Sequence, residues 1–270
     1  MPRRLTVVAG EGALVQSVIA AAKHSGDTVQ VLALGSRSDL DSGVVQVTID
    51  LGEIAAQVRE FRSTHVCLVG GALLSDEVRK GVARAVGQPP GGTGDIDLAQ
   101  LRSQVEAAMG ARLIGAHQVA PTLVVGDEVV VGTAIDVPLR AVVAYALVMA
   151  RKAGRLDLGQ AVVVCGRRLI ATEDIGGTDA LLERVGDLRK RGLFGDGGDA
   201  TILAKASKPR QPSFVDLPTI GAMTVEIAAA AGVSVIAVEA GRSLIADRHA
   251  VVAAGVRLGV TVVGAPIRHG

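Results

Sequence analysis

The stretch "LTVVAGEGALVQSVIAAAKHSGDTVQVLALG", residues 5–35, decides the fold class. It begins with an apolar, β-branched run that ends at Gly10, a pattern typical of a buried strand. Apolar residues at helical spacing follow from Leu14 to Ala22, and Gly26 predicts the end of the helix. The run "TVQVLALG" then completes a strand–helix–strand unit. Near-continuous apolar strands joined by a helix predict a parallel sheet covered by helices.

The remainder of the chain extends this alternation of strands and helices and then changes it. Residues 75–95 carry a predicted helix, "SDEVRKGVARAVG", and a flexible loop, "GQPPGGTGD". After the apolar core helix around "AVVAYALVMA" (141–150), the segment "AVVVCGRRLIATED" (161–174) predicts a hairpin-like strand pair. We therefore predict two α/β domains: a Rossmann-like parallel sheet in residues 1–136 and a mixed-sheet α/β domain in residues 137–270.

Composition excludes several classes of protein. The chain has 270 residues, of which 49% are hydrophobic and only 1% aromatic, with a net charge of +1. A chain with so few aromatic side chains and no basic stripe is not expected to bind nucleic acid. Cys67 and Cys165 lie far apart in apolar runs, so neither a disulfide framework nor a zinc site is expected. We expect a cytoplasmic protein without a signal peptide or membrane span.

The first candidate site is the loop "VVAGEGALV", in which Gly10 and Gly12 stand between a strand and a helix. Backbone N–H groups at such a helix start can bind a phosphate. The spacing does not match the G-x-G-x-x-G dinucleotide fingerprint. Because a tight strand-to-helix turn needs glycine in any case, a purely structural role stays open.

The second candidate is "TEDIGGTDALL" (172–182), where acidic residues and two glycines lead from a strand into a helix. Thr178 or Asp179 is predicted to cap that helix. The carboxyl end of a strand beside a helix N-terminus is also where α/β sheets bind anions. Glu173, Asp174 and Asp179 offer the hard oxygen atoms that Mg²⁺ prefers.

The third candidate is "AKASKPRQPSFVDLPTIG" (204–221), which places Lys205 and Lys208 at the end of a strand and Asp216 between apolar neighbours. Two ammonium groups can hold phosphate oxygens, and Pro218 restrains the residue before it to an extended backbone. Thr219 and Gly221 then precede a helix predicted to begin near Thr224. A solvated surface loop explains these residues equally well.

The fourth candidate is Glu239 at the end of the apolar strand "VSVIAVEAG", followed by Gly241. An acid at the carboxyl end of a parallel strand lies on the ligand-binding edge of the sheet. A surface ion pair with Arg242 or Arg248 is the alternative.

These segments together resemble a known family. Their order resembles the pattern of the UDP-2,3-diacylglucosamine pyrophosphatases of the type unrelated to metallophosphoesterases, which act in lipid A biosynthesis. The matching stretches are, in order, "AGEGAL", "GAH", "GRLDLGQAVVV", "GTDALLERV", "LAKASKP", "VDLPTIG" and "AGVSVIAVEAGRSLIADR". The match is close from about residue 154 to residue 264. It is thinner in the first half, where "ALLSDEV" and "GQPPGGTG" depart from the family pattern.

The resemblance implies a fold, a reaction and a set of site residues. It implies two α/β domains with the lipid nucleotide between them, and Mg²⁺-dependent hydrolysis to UMP and 2,3-diacylglucosamine 1-phosphate. By its motif the essential aspartate is Asp216, which would bind Mg²⁺ or activate the attacking water. Asp179 is the second candidate metal ligand. The predicted substrate-binding residues are Gly10, Gly12, Thr178, Asp179, Lys205, Lys208, Thr219, Gly221, Glu239 and Gly241.

Two other functions stay open at this point. A non-catalytic α/β module that binds a nucleotide or a lipid phosphate would use the same glycine loops and lysines, but it would not need Asp216. An NAD-dependent enzyme is disfavoured by the failed glycine fingerprint. Transient contact with the inner membrane and a two-fold homodimer are further expectations, the second from the general frequency of such dimers.

Overall fold

The computed structural model describes residues 2–40, 43–71, 98–195, 197–209 and 217–267. These residues form two compact units, the first ending at Pro121 and the second beginning at Thr122. The division precedes the predicted boundary at residues 136 and 137, because a strand at Glu128–Val131 pairs within the second sheet. The predicted helix "SDEVRKGVARAVG", the loop "GQPPGGTGD" and the catalytic candidate Asp216 lie outside the described residues.

The first unit is a parallel sheet with helices, as the strand–helix–strand pattern predicts. Its strand order is β3-β2-β1-β4-β5 among the described residues, and every pairing is parallel. The elements in chain order are β1 (Arg4–Ala9), α1 (Leu14–His24), β2 (Thr28–Leu34), β3 (Val45–Val47), α2 (Leu51–Glu60), β4 (His65–Val69), α3 (Leu98–Met109), β5 (Arg112–Ile114) and α4 (Ala116–Val119).

The core of the first unit contains the centres of its apolar strands. Val8, Leu32 and Val66 pack with Ile54 and Val58 of α2. The side chain of Asp50 caps α2 by accepting a hydrogen bond from the backbone N–H of Glu53 at 2.8 Å. Neither β3 nor α2 was among the predicted elements, although an Asp cap followed three residues later by Glu is a local signature of a helix start.

The second unit is a mixed sheet with helices on both faces. Its strand order is β6-β13-β11-β9-β7-β8, and a separate two-stranded sheet pairs β10 with β12. The elements in chain order are β6 (Glu128–Val131), α5 (Val137–Arg155), β7 (Ala161–Cys165), β8 (Arg168–Thr172), α6 (Gly177–Lys190), β9 (Thr201–Lys205), β10 (Thr219–Ile220), α7 (Ala222–Ala230), β11 (Val235–Glu239), β12 (Leu244–Ile245), α8 (Arg248–Leu258) and β13 (Thr261–Ala265).

Burial on both faces explains why the strands of this sheet are almost wholly apolar. Ile202 of β9 faces α5, whereas its neighbour Leu203 faces the cluster that contains α6, α7 and α8. The predicted strand pair around "CGRR" is confirmed: β7 and β8 are antiparallel, and Gly166 in their turn has φ +55°. Among the residues described, no helix combines the length and apolarity needed to cross a membrane.

Candidate functional site

The register of the second sheet brings the ends of several strands to one edge. Lys205 at the end of β9 lies opposite Ala161 at the start of β7, and beside Val238 of β11. Glu239 ends β11 beside Ala265 of β13. Thr172 ends β8 at the same level, opposite Val162. We call this the carboxyl edge; ligands of open α/β sheets bind at the carboxyl ends of the strands.

Lys205 is a buried cation at the carboxyl edge. Its residue is only 8% exposed, and its Nζ donates a hydrogen bond to the backbone carbonyl of Thr219 at 3.0 Å. An ammonium group has three N–H donors, and the described part of the chain supplies no carboxylate to it. Buried charges are normally paired, so this position is suited to an anionic ligand. The structure thus brings two predicted site residues, Lys205 and Thr219, into contact.

Lys208 differs from Lys205 in its electrostatic surroundings. Its Nζ lies 2.7 Å from Oδ1 of Asp157, and its side chain is mostly buried. The carboxylate of Asp157 therefore offsets much of the positive charge. The two lysines, which the sequence presents as equivalent, are not equivalent in the structure.

Glu239 is buried and fully engaged with other protein groups. Its Oε1 accepts a hydrogen bond from Nη2 of Arg151, and its Oε2 accepts from the backbone N–H and the Oγ of Ser207 at 3.0 and 2.9 Å. Arg242 lies farther from the Glu239 carboxylate, at 3.7 Å, and donates to Ser207 Oγ at 2.8 Å. Arg248 instead pairs with Glu128. Sequence reasoning missed Arg151 and Ser207, since nothing in the chain marks residues that meet across such separations.

The segment after β8 is held by Glu173. Its Oε2 accepts hydrogen bonds from the backbone N–H groups of Gln160 and Ala161 at 2.6 and 3.2 Å. Its Oε1 accepts from the hydroxyl of Thr178 at 2.6 Å. Thr178 therefore connects the start of α6 to the start of β7.

The prediction that Thr178 or Asp179 caps α6 is wrong. The helix begins at Gly177, with Gly176 as its N-cap, so both residues lie within its first turn. Gly177 has φ +78°, a conformation that glycine adopts without strain, and this starts the helix earlier than the Thr-Asp pair suggests.

Asp179 presents an exposed carboxylate in the first turn of α6. Within the described ranges it has neither a hydrogen bond nor an ion pair. By contrast, Asp174 accepts from the N–H of Gly176 and pairs with Arg184, which together hold the pKa of its carboxyl below the usual value.

The two predicted glycines of the second unit shape turns at the carboxyl edge. Gly221 is the N-cap of α7, and its N–H donates to the hydroxyl of Thr224 at 3.3 Å. That helix begins at Ala222, two residues before the predicted start. Gly241 has φ +73°, and its N–H donates to the carbonyl of Val125 at 2.7 Å.

In the first unit, Gly10 and Gly12 lie where the strand order changes direction. The chain passes from β1 to β2 on one side and later returns to β4 on the other, which makes the space between β1 and β4 a topological switch point. A Cβ on Gly10 would lie 2.3 Å from the carbonyl oxygen of Gly71, so only glycine fits there. Gly12 has φ +102°.

Arg37 adds a positive charge to this glycine loop, and sequence reasoning missed it. Its guanidinium donates hydrogen bonds to the carbonyl of Gly10 and, at 3.5 Å, to that of Gly12. It also pairs with Asp39 at 2.6 Å, and this hydrogen bond lowers the pKa of the Asp39 carboxyl to about 2. The only available signal was its position just after β2.

The described residues include one predicted metal ligand, Asp179, and not the other, Asp216. They contain no group of three or more His, Cys, Asp or Glu side chains arranged around a metal ion. Glu173 and Asp174 are engaged with other protein groups, so among the three acidic residues of this segment Asp179 alone has no partner in the described part of the chain. A single oxygen ligand from this helix fits Mg²⁺, which usually keeps several waters and binds one or two carboxylates together with substrate phosphates.

Comparison with known proteins agrees with the resemblance found in the sequence. The family model described as the LpxI C-terminal domain matches residues 129–263. The UDP-2,3-diacylglucosamine pyrophosphatase LpxI of Caulobacter vibrioides is 35% identical over 274 residues, which cover 97% of each chain. Among solved structures, a UDP-glucose-4-epimerase of Stenotrophomonas maltophila, with bound NAD and formylated UDP-arabinopyranose, overlaps 49% of this chain and 40% of its own at 15% identity. Its TM-score of 0.22 is too low to support any argument.

Proposed function

The chain belongs to the LpxI family, and from this we propose that it hydrolyses UDP-2,3-diacylglucosamine. Water adds to one phosphorus of the pyrophosphate and the P–O–P bond breaks. The products are UMP and 2,3-diacylglucosamine 1-phosphate, and the reaction is one step of lipid A biosynthesis. The identity to the Caulobacter relative extends over nearly the whole chain, which supports a shared reaction rather than a shared domain alone.

The observation that carries this proposal is the buried ammonium group of Lys205 at the carboxyl edge. The described residues offer it a backbone carbonyl but no carboxylate. A pyrophosphate would supply the missing negative charge. In the transition state, charge increases on the phosphoryl oxygens, and a preorganised cation stabilises that charge more than it stabilises the ground state.

We assign supporting roles to the remaining predicted residues. Lys208 binds a second phosphate oxygen, and Thr219 and Gly221 lie beside the reacting group on the segment that Lys205 contacts. In the first unit, Gly12 binds another part of the substrate through its backbone N–H. The N–H of Gly10 donates to the carbonyl of Val69 at 2.8 Å, so Gly10 acts by shaping the loop. Glu239 acts indirectly, by holding Ser207.

We propose that Asp216 and Asp179 hold the Mg²⁺. When bound, the ion supplies positive charge to the pyrophosphate oxygens. Asp216 is assigned by its motif and also serves as the candidate base for the attacking water. Asp179 is supported by its exposed carboxylate beside the end of β8.

We also propose that the protein acts in the cytoplasm and contacts the inner leaflet of the inner membrane transiently. Three large apolar side chains are exposed in loops near the carboxyl edge: Leu156 at 71%, Leu158 at 49% and Ile175 at 86%. Lys152 and Arg155 at the end of α5 add positive charge. Apolar side chains next to basic ones suit an anionic lipid surface.

Vesicle flotation tests the membrane proposal. We expect binding to vesicles that contain phosphatidylglycerol and weaker binding by the double variant Leu156→Ser, Ile175→Ser. Leu193→Ser, which changes an equally apolar side chain 47% exposed after α6, is the matched control. Equal binding by all three proteins would reject this surface. The predicted homodimer is checked separately, by measuring the molar mass of the wild-type protein without vesicles by light scattering.

Product analysis tests the proposed reaction. Wild-type protein is incubated with UDP-2,3-diacylglucosamine and Mg²⁺, and both products are identified by mass spectrometry. We expect UMP and the lipid 1-phosphate in equal amounts, and a loss of at least about a hundredfold in rate for Lys205→Gln. Tight substrate binding without product formation would instead favour the non-catalytic binding module.

A further inference from the structure

Three positions near the end of α5 follow one another at intervals of three residues: Arg151, Gly154 and Asp157. Residues three apart share one face of a helix. Arg151 and Gly154 lie in the last turns of α5, and Asp157 follows two residues after its end. All three act on the segment Ala206–Ser207–Lys208, which continues β9 beyond Lys205.

Arg151 acts on this segment through Glu239. Its guanidinium binds one carboxylate oxygen of Glu239, and the other oxygen accepts both hydrogen bonds of Ser207. The side chain of Glu239 is 5% exposed and that of Arg151 is 18% exposed. The pair therefore fixes the backbone of Ser207 from inside the protein.

Gly154 acts on the segment by its lack of a side chain. It is buried, and a Cβ at this position would lie 3.3 Å from Cα and 3.4 Å from Cγ of Lys208. These distances are shorter than ordinary carbon contacts of about 3.5–4.0 Å. The helix and the segment therefore meet at a point where a methyl group fits only if Lys208 moves by a few tenths of an ångström.

Asp157 acts on the segment through an ion pair. Its Oδ1 lies 2.7 Å from Nζ of Lys208. Its backbone has φ +58°, a left-handed conformation that residues other than glycine rarely adopt. Glycine is the usual residue where a helix ends in this conformation, so an aspartate here keeps a less favourable backbone together with its contact to Lys208.

We propose that Arg151, Gly154 and Asp157 form a brace, the α5 brace, that positions the segment 206–208 and, through it, the two lysines for the reaction. This inference rests on the proposed function. None of the three residues needs to touch the substrate. They are positioning residues, and their effect is on the transition state, where small displacements of a charged group weaken its interaction with the reacting phosphoryl group.

Gly154→Ala is the decisive variant because helix propensity favours alanine, whereas the contact with Lys208 disfavours it. Alanine is a better helix former than glycine, so helix propensity alone predicts a thermal midpoint equal to or above that of wild type. The added methyl group displaces Lys208 by a few tenths of an ångström. Since a misplacement of 1 Å can cost about a hundredfold, we expect kcat to fall by about three- to tenfold with KM within about twofold.

Gly186→Ala is the matched control. Gly186 is a buried glycine within α6, and its added Cβ would meet Ala231 at an ordinary contact distance of 3.5 Å. We expect this variant to keep the kinetic constants of wild type. Full kcat in a folded Gly154→Ala protein, or equal losses in both glycine variants, would overturn the brace.

A second variant, Asp157→Asn, tests the brace if Gly154→Ala fails to fold. Asp157→Asn keeps a residue that tolerates the left-handed conformation but removes the charge next to Lys208. We expect it to lower kcat by about three- to tenfold, as in Gly154→Ala. An unchanged kcat would reject the brace.

Hydrogen exchange of the Ser207 amide does not depend on the reaction. We expect faster exchange in Gly154→Ala than in Gly186→Ala. If wild type does not hydrolyse UDP-2,3-diacylglucosamine, the proposed function fails, and this comparison alone decides the brace: equal exchange rejects it.

Discussion

At the scale of single residues, the environment of each charge separates functional from structural roles. Lys205, Lys208 and Glu239 follow strands in similar sequence contexts. Only Lys205 keeps a charge that the described residues leave uncompensated, whereas Lys208 has Asp157 and Glu239 has Arg151. Burial and pairing thus rank these residues by the charge that each leaves available to a ligand, which the sequence alone does not show.

This ranking predicts unequal effects of removing the two amines. Lys205→Gln should lower kcat/KM by about a hundredfold or more, since it removes a preorganised cation from the phosphate site. Lys208→Gln should cost about tenfold, because Asp157 already offsets its charge. Steady-state UMP release measures both, and equal losses would contradict the assignment of Lys205 as the principal phosphate-binding cation.

The pairing of Glu239 with Arg151 predicts a loss of stability. Glu239→Gln leaves the guanidinium of Arg151 without its counter-charge in a mostly buried position, and should lower the free energy of unfolding by about 2–4 kcal/mol. Glu226→Gln is the control, since its pair with Arg257 is exposed at 42% and 61% and should contribute less than about 1 kcal/mol. Urea denaturation compares the two. Similar values would show that the Glu239 pair is no stronger than a surface pair.

At the scale of elements, the sequence predicts well where a local pattern exists. The apolar runs at β1, β2 and β11 and the helical face of α1 are unambiguous, and each forms as predicted. Two helix starts were not predicted. The start of α2 was missed although its Asp50 cap and Glu53 are a local helix signal. The start of α6 was placed at Thr178 because a sequence does not show that the backbone of Gly177 is left-handed.

The close approach of β1 and β4 predicts a strong asymmetry between neighbouring glycines. Gly10→Ala places a Cβ 2.3 Å from the carbonyl oxygen of Gly71, so the loop must move, and we expect a loss of about 1–3 kcal/mol in the free energy of unfolding. Gly71→Ala meets no atom within 4 Å and should change stability little. If chemical denaturation shows equal effects, the described packing of this loop is wrong.

At the scale of the whole molecule, the candidate site is a property of topology. The sequence predicts that polar residues follow strands, and parallel strands bring their carboxyl ends to one edge. It does not predict that β7 runs against β9, or that Arg151 reaches Glu239, because neither contact leaves a local pattern. The three second-unit segments singled out in the sequence do lie along the carboxyl edge, although Asp216 itself falls outside the described residues.

The titrating groups of both units predict a loss of stability on acidification. Burial lowers the pKa of His65 and His117, so below about pH 6.5 protons bind preferentially to the unfolded chain. The hydrogen bond from Arg248 lowers the pKa of Glu128, and its stabilising effect is lost as the pH falls below about 4.3 towards the folded pKa. We expect the free energy of unfolding to decrease from pH 7 to pH 4. Constant stability across this range would contradict these environments.

We propose a metal-dependent pyrophosphatase whose chemistry depends on Asp216. The most direct measurement is UMP release from UDP-2,3-diacylglucosamine by wild type and Asp216→Ala, each with Mg²⁺ and with EDTA, together with substrate affinity by calorimetry. We expect Mg²⁺-dependent release by wild type, and retained substrate binding without turnover by the variant. Release by Asp216→Ala at the wild-type rate, or undiminished release in EDTA, would contradict it.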